Sequence, residues 1–337
     1  MNAVQRNNPA LRIESFGFCL PGEPIPLAGL NLDPDERQRL VALGQEFTFQ
    51  AHEASSTALM VEAARAALKS AGVGPRDVGL VISAPSLLTA YGLEIPAVEV
   101  RATLGLVGAQ CVNIAQGCIG SLLGFELAAQ RLAVRRNSGA VLVVTACVAS
   151  TLTKNFNHGA FFWGDAAAAV VLTDTQGPGV HFVAYAESSS VRDWGAMRVP
   201  FGDSRPVEDC KAPEDFRLAI RFAGPRDQLE YVSAERERFR LVLDSLLNSQ
   251  GIKEEDLSAL LLPATGRNRM SSLLQASRNL EKCVLTDFRY PHMGAVDVLL
   301  FLHEYVKNRA PADGAWIVAL SPAFTAQWGG VLLRYFA

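Results

Sequence analysis

Along the chain, short runs of apolar and β-branched residues alternate with longer stretches whose apolar positions recur at helical spacing. GLVISAPS (79–86), GAVLVVTACV (139–148) and AAAAVVLTD (166–174) read as strands, and 57–72 and 119–135 carry the helical pattern. The scheme returns in the second half. A helical stretch at 234–250 is followed by SALLLPAT (258–265), KCVLTDFRY (282–290), a helical run at 294–308, AWIVALSPAF (315–324) and GGVLLRYF (329–336). Strands alternating with helices imply crossover connections, so the pattern predicts an α/β fold with a largely parallel sheet. The chain divides into two similar halves, 1–176 and 177–337, with no low-complexity linker between them. The polar stretch PFGDSRPVEDCKAPEDF (200–216) reads as a surface loop or part of a cap.

The halves echo each other closely enough to align. CIGSLLGFELAAQ from Cys118 and HMGAVDVLLFLHE from His292 both open an apolar helical run with glycine at the third position. The next strand opens at Gly139 in one half and Gly314 in the other, 21 and 22 residues further on. Cys118 and His292 thus occupy equivalent strand-to-helix junctions. If the halves pack about a pseudo-twofold axis, the junctions converge at the carboxyl ends of the strands, where α/β sheets bind ligands. Chance similarity of two strand–helix units is the alternative.

Composition narrows the function classes. A chain of 337 residues, 49% hydrophobic and 19% charged, buries a large core. Its net charge of -3 marks neither a nucleic-acid nor a membrane-surface binder. The start MNAVQRNNPALRIESFG has no apolar signal region, and no stretch approaches the ~18 apolar residues of a membrane span, so a cytoplasmic protein is expected. Six cysteines without a Cys-x-x-Cys pair fit reduced core thiols rather than a disulfide frame or metal site.

Three residues carry candidate chemistry. Cys118 follows CVNIAQG, read as an apolar strand ending in Gly117, and opens a helix. A thiol there faces unpaired N–H groups and the positive end of the helix dipole, which favour a nucleophilic thiolate. The other reading is a small buried residue at a tight turn. In YPHMGAVD (290–297), residues five apart on a helix lie about 140° apart, so His292 and Asp297 meet only if His292 sits in the loop before the helix. Pro291 and Gly294 favour that loop. Asp297 interrupts the apolar AVDVLLFL, where an unpartnered carboxylate costs several kcal/mol. An imidazole one turn back is an available partner, whose other nitrogen is left free to act on a neighbour. The alternative is a polar helix start with Asp297 in water. Joined, they give Cys118 as nucleophile, His292 as general base and acid, and Asp297 as orienting carboxylate. His158 in NFNHGAFFWGD is a reserve candidate, and His52, His181 and His303 are weaker. GRNRM (266–270) and SAERERFR (233–240) are basic clusters suited to a phosphate-bearing partner, or solvated faces.

These residues sit in familiar surroundings. NIAQGCIGSLLGFELA resembles the nucleophile region of the thiolase-like condensing enzymes, specifically the ketoacyl-acyl-carrier-protein synthase III group. FFWGDAAAAVVL (161–172), ALLLPATGRNRM (259–270) and AQWGGVLLRYFA (326–337) resemble that group's Gly-Asp-Gly-Ala-Gly-Ala, Pro-His-Gln-Ala-Asn-x-Arg and Trp-Gly-x-x-Leu-Val-Arg-Phe segments, in order along nearly the whole chain. The resemblance implies a thiolase-like fold of two similar halves in α/β/α/β/α layers, usually a homodimer. Arg269 matches the arginine near the phosphopantetheine entrance, and Cys118 and Phe324 would supply the oxyanion amides.

The departures alter the implied reaction. The family's decarboxylating condensation resembles a Cys-His-Asn scheme. Here its histidine position is Ala264 and its asparagine position is His292. That pattern resembles a divergent branch from antibiotic and other natural-product pathways, in which Cys, His and Asp form a triad. The implied protein is a ping-pong acyltransferase. It moves an acyl group from a carrier-protein or coenzyme A thioester, through Cys118, to a hydroxyl, amine or carrier thiol of an acceptor, without decarboxylation. Phe324 in Ala323-Phe324-Thr325 replaces part of a glycine-rich loop, and no Trp–Arg pair near 30–50 matches the family's coenzyme A clamp, which favours a carrier protein. No bound cofactor or metal is implied. Carbon–carbon condensation, with His292 deprotonating a carbon acid, and a catalytically silent partner subunit are the competing expectations.

Overall fold

The computed structural model describes residues 11–87, 89, 94–135, 138–150, 162–192, 197–198, 221–222, 225–275, 277–323 and 325–337. Leu11–Cys19 alternates buried and half-buried side chains, the mark of a strand with one face in the core, and forms β1. It joins β2 (Val78–Ser83), β3 (Gln110–Asn113), β4 (Ala140–Cys147), β5 (Ala166–Thr173), β6 (Gly179–Ser189), β7 (Leu257–Leu261), β8 (Val284–Leu285), β9 (Trp316–Ala323) and β10 (Gln327–Phe336). These form one sheet in the order β8-β7-β9-β10-β6-β1-β5-β4-β2-β3. Adding five to each strand of the first half gives its counterpart in the second, and the halves meet where β1 pairs with β6.

The expectation of a largely parallel sheet needs correction. β2 pairs in parallel with β3 and β4, as β7 does with β8 and β9. The other pairings, β4–β5, β5–β1, β1–β6, β6–β10 and β10–β9, are antiparallel. β10 follows β9 with no helix between them, which reverses its direction, and β5 returns antiparallel to β4.

Eight helices are described: α1 (Pro34–Ala42), α2 (Ser56–Ala71), α3 (Pro96–Thr103), α4 (Gly120–Val134), α5 (Pro225–Asn248), α6 (Arg267–Leu274), α7 (Arg278–Cys283) and α8 (Val296–Arg309). α2 shows why the local sequence folds so. Ser55 accepts a hydrogen bond from the Ala58 amide at its start, and Gly72 ends it in a left-handed conformation. α4 touches β1, β2, β4 and β5 on one side and β6 and β10 on the other, while α8 touches β4, β5, β7 and β9. These two helices are therefore the middle layer. α2 packs outside the first half and α5 outside the second, completing five layers. The central core joins Leu122 and Phe125 of α4 and Val298 and Leu299 of α8 to Val143, Ala168, Ile317 and Val331 of the strands.

Several boundaries differ from the sequence pattern. The strand before Cys118 ends at Asn113, not Gly117. The apolar run at 282–290 contributes only Val284–Leu285, because Lys282 and Cys283 close α7. α5 begins at Pro225, nine residues before its helical pattern was expected. Apolar runs alone pass over β1, whose Arg12 and Glu14 interrupt them. The stretch 200–216 lies outside the described residues, as do His158, Cys210 and Phe324.

Candidate active site

Gly117–Ile119 forms a single 3-10 turn that feeds directly into α4. Gly117 has φ of +54°, a conformation that costs a side-chain-bearing residue, and this sharp turn carries Cys118 at the mouth of the helix. Cys118 is 2% exposed.

His292 comes to it from the second half. Its amide donates to the Phe162 carbonyl at 2.7 Å, and its carbonyl accepts from the Gly164 amide at 3.1 Å, so it is stitched across Trp163. Pro291 lies so close to Gly164 that a Cβ there would sit 2.3 Å from Pro291 Cγ. Gly294 turns the chain into α8 with φ of +65° and lies against Ser86, whose Oγ accepts from the Ala295 amide at 2.9 Å. His292 thus lies in the loop before the helix, and Asp297 is the second residue of α8.

The side chains form a linear array. Cys118 Sγ is 3.6 Å from His292 Nε2, and His292 Nδ1 is 2.8 Å from Asp297 Oδ2. Asp297 is fully buried, and its carboxylate also accepts from the amides of Met293 (2.6 Å) and Ala264 (3.0 Å). Ala264, where the resembled family has histidine, contributes its backbone to Asp297 instead. Burial by itself would lower the affinity of the His292 ring for a proton. The charge of Asp297 outweighs it, aided by the hydrogen bonds to Asp297 and Cys118, and the ring is held well above the ordinary imidazole range. Nearby Cys147 is driven up by burial first, then by Cys118, Asp165 and Asp297. Asp165 is braced by the amides of Ala51, Ala149 and Ser150, which ties the approach to β5 to the residues just after β4.

Arg269 is placed differently from an open phosphate site. Its Nε donates to both carboxylate oxygens of Glu235, at 2.9 and 2.8 Å. Glu235 is 2% exposed, and its charge raises the Arg269 guanidinium against the opposing effect of burial. Tyr231, one turn earlier on α5, donates to the Ala323 carbonyl at 3.1 Å. Sequence reasoning missed this role, because Glu235 lies in SAERERFR, which reads as a basic surface. It also passed over Trp163, quoted only as part of a matching segment. His303 packs against the rings of Phe16 and Phe18, and His181 reaches the Gly177 carbonyl. Among the described residues, no group of three or more His, Cys, Asp or Glu side chains could hold a metal ion.

This geometry can be set beside known proteins. Residues 112–190 match the family model of 3-oxoacyl-[acyl-carrier-protein (ACP)] synthase III. A β-ketoacyl-[acyl-carrier-protein] synthase III of Aquifex aeolicus (strain VF5) is 24% identical over 289 residues, covering 85% of this chain and 86% of the relative. A solved 3-oxoacyl-(acyl-carrier-protein) synthase III superposes with a TM-score of 0.83 at 19% identity, over 97% of this chain and 100% of the other. ChlB3, named an acyltransferase, superposes with a TM-score of 0.82 at 21% identity, over 98% of each chain. The chain shares the thiolase-like fold of these solved structures, and its residues 112–190 resemble the synthase III family model.

Proposed function

We infer that the protein is a ping-pong acyltransferase of secondary metabolism, with Cys118 as nucleophile, His292 as general base and acid, and Asp297 as orienting carboxylate. The observation that carries this reading is the buried Cys118–His292–Asp297 array, with Ala264 where a decarboxylating histidine would stand. His292 Nε2 takes the proton of the Cys118 thiol, and the sulfur attacks the carbonyl of an acyl thioester. The bond to the pantetheine sulfur breaks, and that sulfur leaves with the proton from His292. An acceptor hydroxyl, amine or thiol then gives its proton to His292 and attacks the acyl-enzyme. Cys118 leaves as thiolate and recovers the proton. No carbon dioxide is lost. The Cys118 and Phe324 amides would hold the developing oxyanion.

The donor is a carrier-protein or coenzyme A thioester, which agrees with the carrier protein in the names of the relatives. The acyltransferase name of ChlB3 supports transfer. The synthase names of other relatives favour the second reading, carbon–carbon condensation. Mild base or amidase treatment separates the two, since one or the other cleaves an ester or amide product and neither cleaves a carbon–carbon bond. We read the protein as a cytoplasmic homodimer without bound cofactor or metal, its halves dividing at 176/177. The division agrees with β5 ending at Thr173 and β6 beginning at Gly179.

Intact mass after incubation with acyl-carrier and acyl-coenzyme A thioesters tests the nucleophile. Wild-type protein gains one acyl group and folded Cys118→Ala gains none. Equal labelling of the variant, or no labelling of the wild type, overturns the assignment.

A further inference from the structure

The indole of Trp163 lies against the imidazole of His292, with ring centroids 4.9 Å apart and planes tilted by 43°. Trp163 is 1% exposed and His292 is 3% exposed, so the contact is shielded from water. Its backbone is fixed as well as its ring. The residues on either side of Trp163 exchange hydrogen bonds with His292, and Thr48 Oγ1 donates to the Trp163 carbonyl at 2.7 Å. The imidazole therefore meets Asp297 at one nitrogen, Cys118 at the other and an indole across its ring.

An aromatic ring near a cation attracts it through its quadrupole, most strongly for tryptophan and in a desolvated setting. It also blocks rotation of the imidazole out of line. We propose that Trp163 is the positioning residue for the relay: its ring holds His292 in line between Asp297 and Cys118 and stabilises the imidazolium formed each time His292 takes a proton. The proposal rests on the acyltransferase reading for its kinetic consequence, but the ring contact acts on His292 whatever the reaction. The titratable groups around the ring are Asp297 from α8 and Cys118 from the turn before α4. Cys147 of β4 lies close enough to both to interact, and Asp165 before β5 acts on Cys147.

The sign is fixed by the mechanism. In the acyl-enzyme His292 must be neutral to accept the acceptor's proton, so transfer rises with pH as the ring deprotonates. Removing the indole disfavours imidazolium and moves that rise to lower pH, while a looser ring lowers the plateau. Trp163→Leu keeps apolar bulk without a π face, and Trp163→Phe keeps a weaker face. We expect the transfer profile of Trp163→Leu to move by about half a unit or more toward acid, with a plateau roughly 10-fold lower. Trp163→Phe should recover most of both. A merely structural role would lower the plateau without moving the midpoint.

A second readout needs no acyl chemistry. In a Cys118→Ala background, the His292 ring signal, assigned by its loss in His292→Asn, is titrated by NMR with Trp, Phe or Leu at position 163. The midpoint falls with Leu and is restored with Phe if the proposal holds. Identical midpoints with all three residues overturn it. If wild-type protein takes up no acyl group yet the NMR midpoints separate as described, the acyltransferase reading fails and the role of Trp163 stands.

Discussion

In the proposed mechanism Asp297 is the residue on which the chemistry turns. It accepts from His292 Nδ1 and two backbone amides inside an apolar helix start, so its charge is satisfied and the imidazole tautomer is set. Asp297→Asn keeps the size but removes the charge, and we expect turnover to fall about 10²–10⁴-fold while the fold persists; unchanged turnover would refute the role. The same pair makes stability depend on pH. The His292 value is raised from 6.5 to about 10, so its contribution is complete below pH 6.5 and is lost as pH rises toward 10. The unfolding midpoint of wild type should therefore drop more across that window than that of His292→Asn. The contact between His292 and Asp297 was legible because a carboxylate in AVDVLLFL demands a partner. Trp163 and Glu235 were not, since a tryptophan in an apolar run and a glutamate among arginines give no sign of a tertiary partner.

The elements show how the loop is held at its geometry. Gly294 and Gly72 share nearly the same left-handed φ, +65° and +66°. A Cβ at Gly294 would lie 2.3 Å from Ser86 Oγ, whereas at Gly72 nothing lies within 4 Å. Gly72→Ala should cost about 1 kcal/mol, from conformation alone. Gly294→Ala should cost clearly more and also slow catalysis, which denaturant unfolding and turnover together would show. Equal losses would mean that the Ser86 contact does not constrain the loop. The longest helices, α2, α4, α5 and α8, were legible from periodicity, whereas the short helices and the central strand β1 were not. Strand direction was not, because apolar runs say nothing about whether a connection reverses the chain. The two-residue β8 was overread because a run of apolar residues can equally close a helix.

At the scale of the whole molecule, the repeated order of strands places the α4 and α8 starts face to face, and so joins a thiol from one half to an imidazole from the other. The echo of CIG and HMG made that convergence legible, though not the β1–β6 pairing that joins the halves. At its outer edge, β3 presents Gln110, Val112 and Asn113 to solvent, which suits pairing with a second copy. Light scattering should give twice the 36.3 kDa chain mass, and a chain-sized particle would exclude the homodimer. The most direct test of the central claim follows the acyl group off the enzyme. Wild type, His292→Ala and Asp297→Asn are each loaded from an activated acyl thioester, and intact mass is followed as alcohol or amine acceptors are added. All three should load on Cys118, while release from both variants slows about 10²-fold or more. Release at the wild-type rate from either variant would contradict the account.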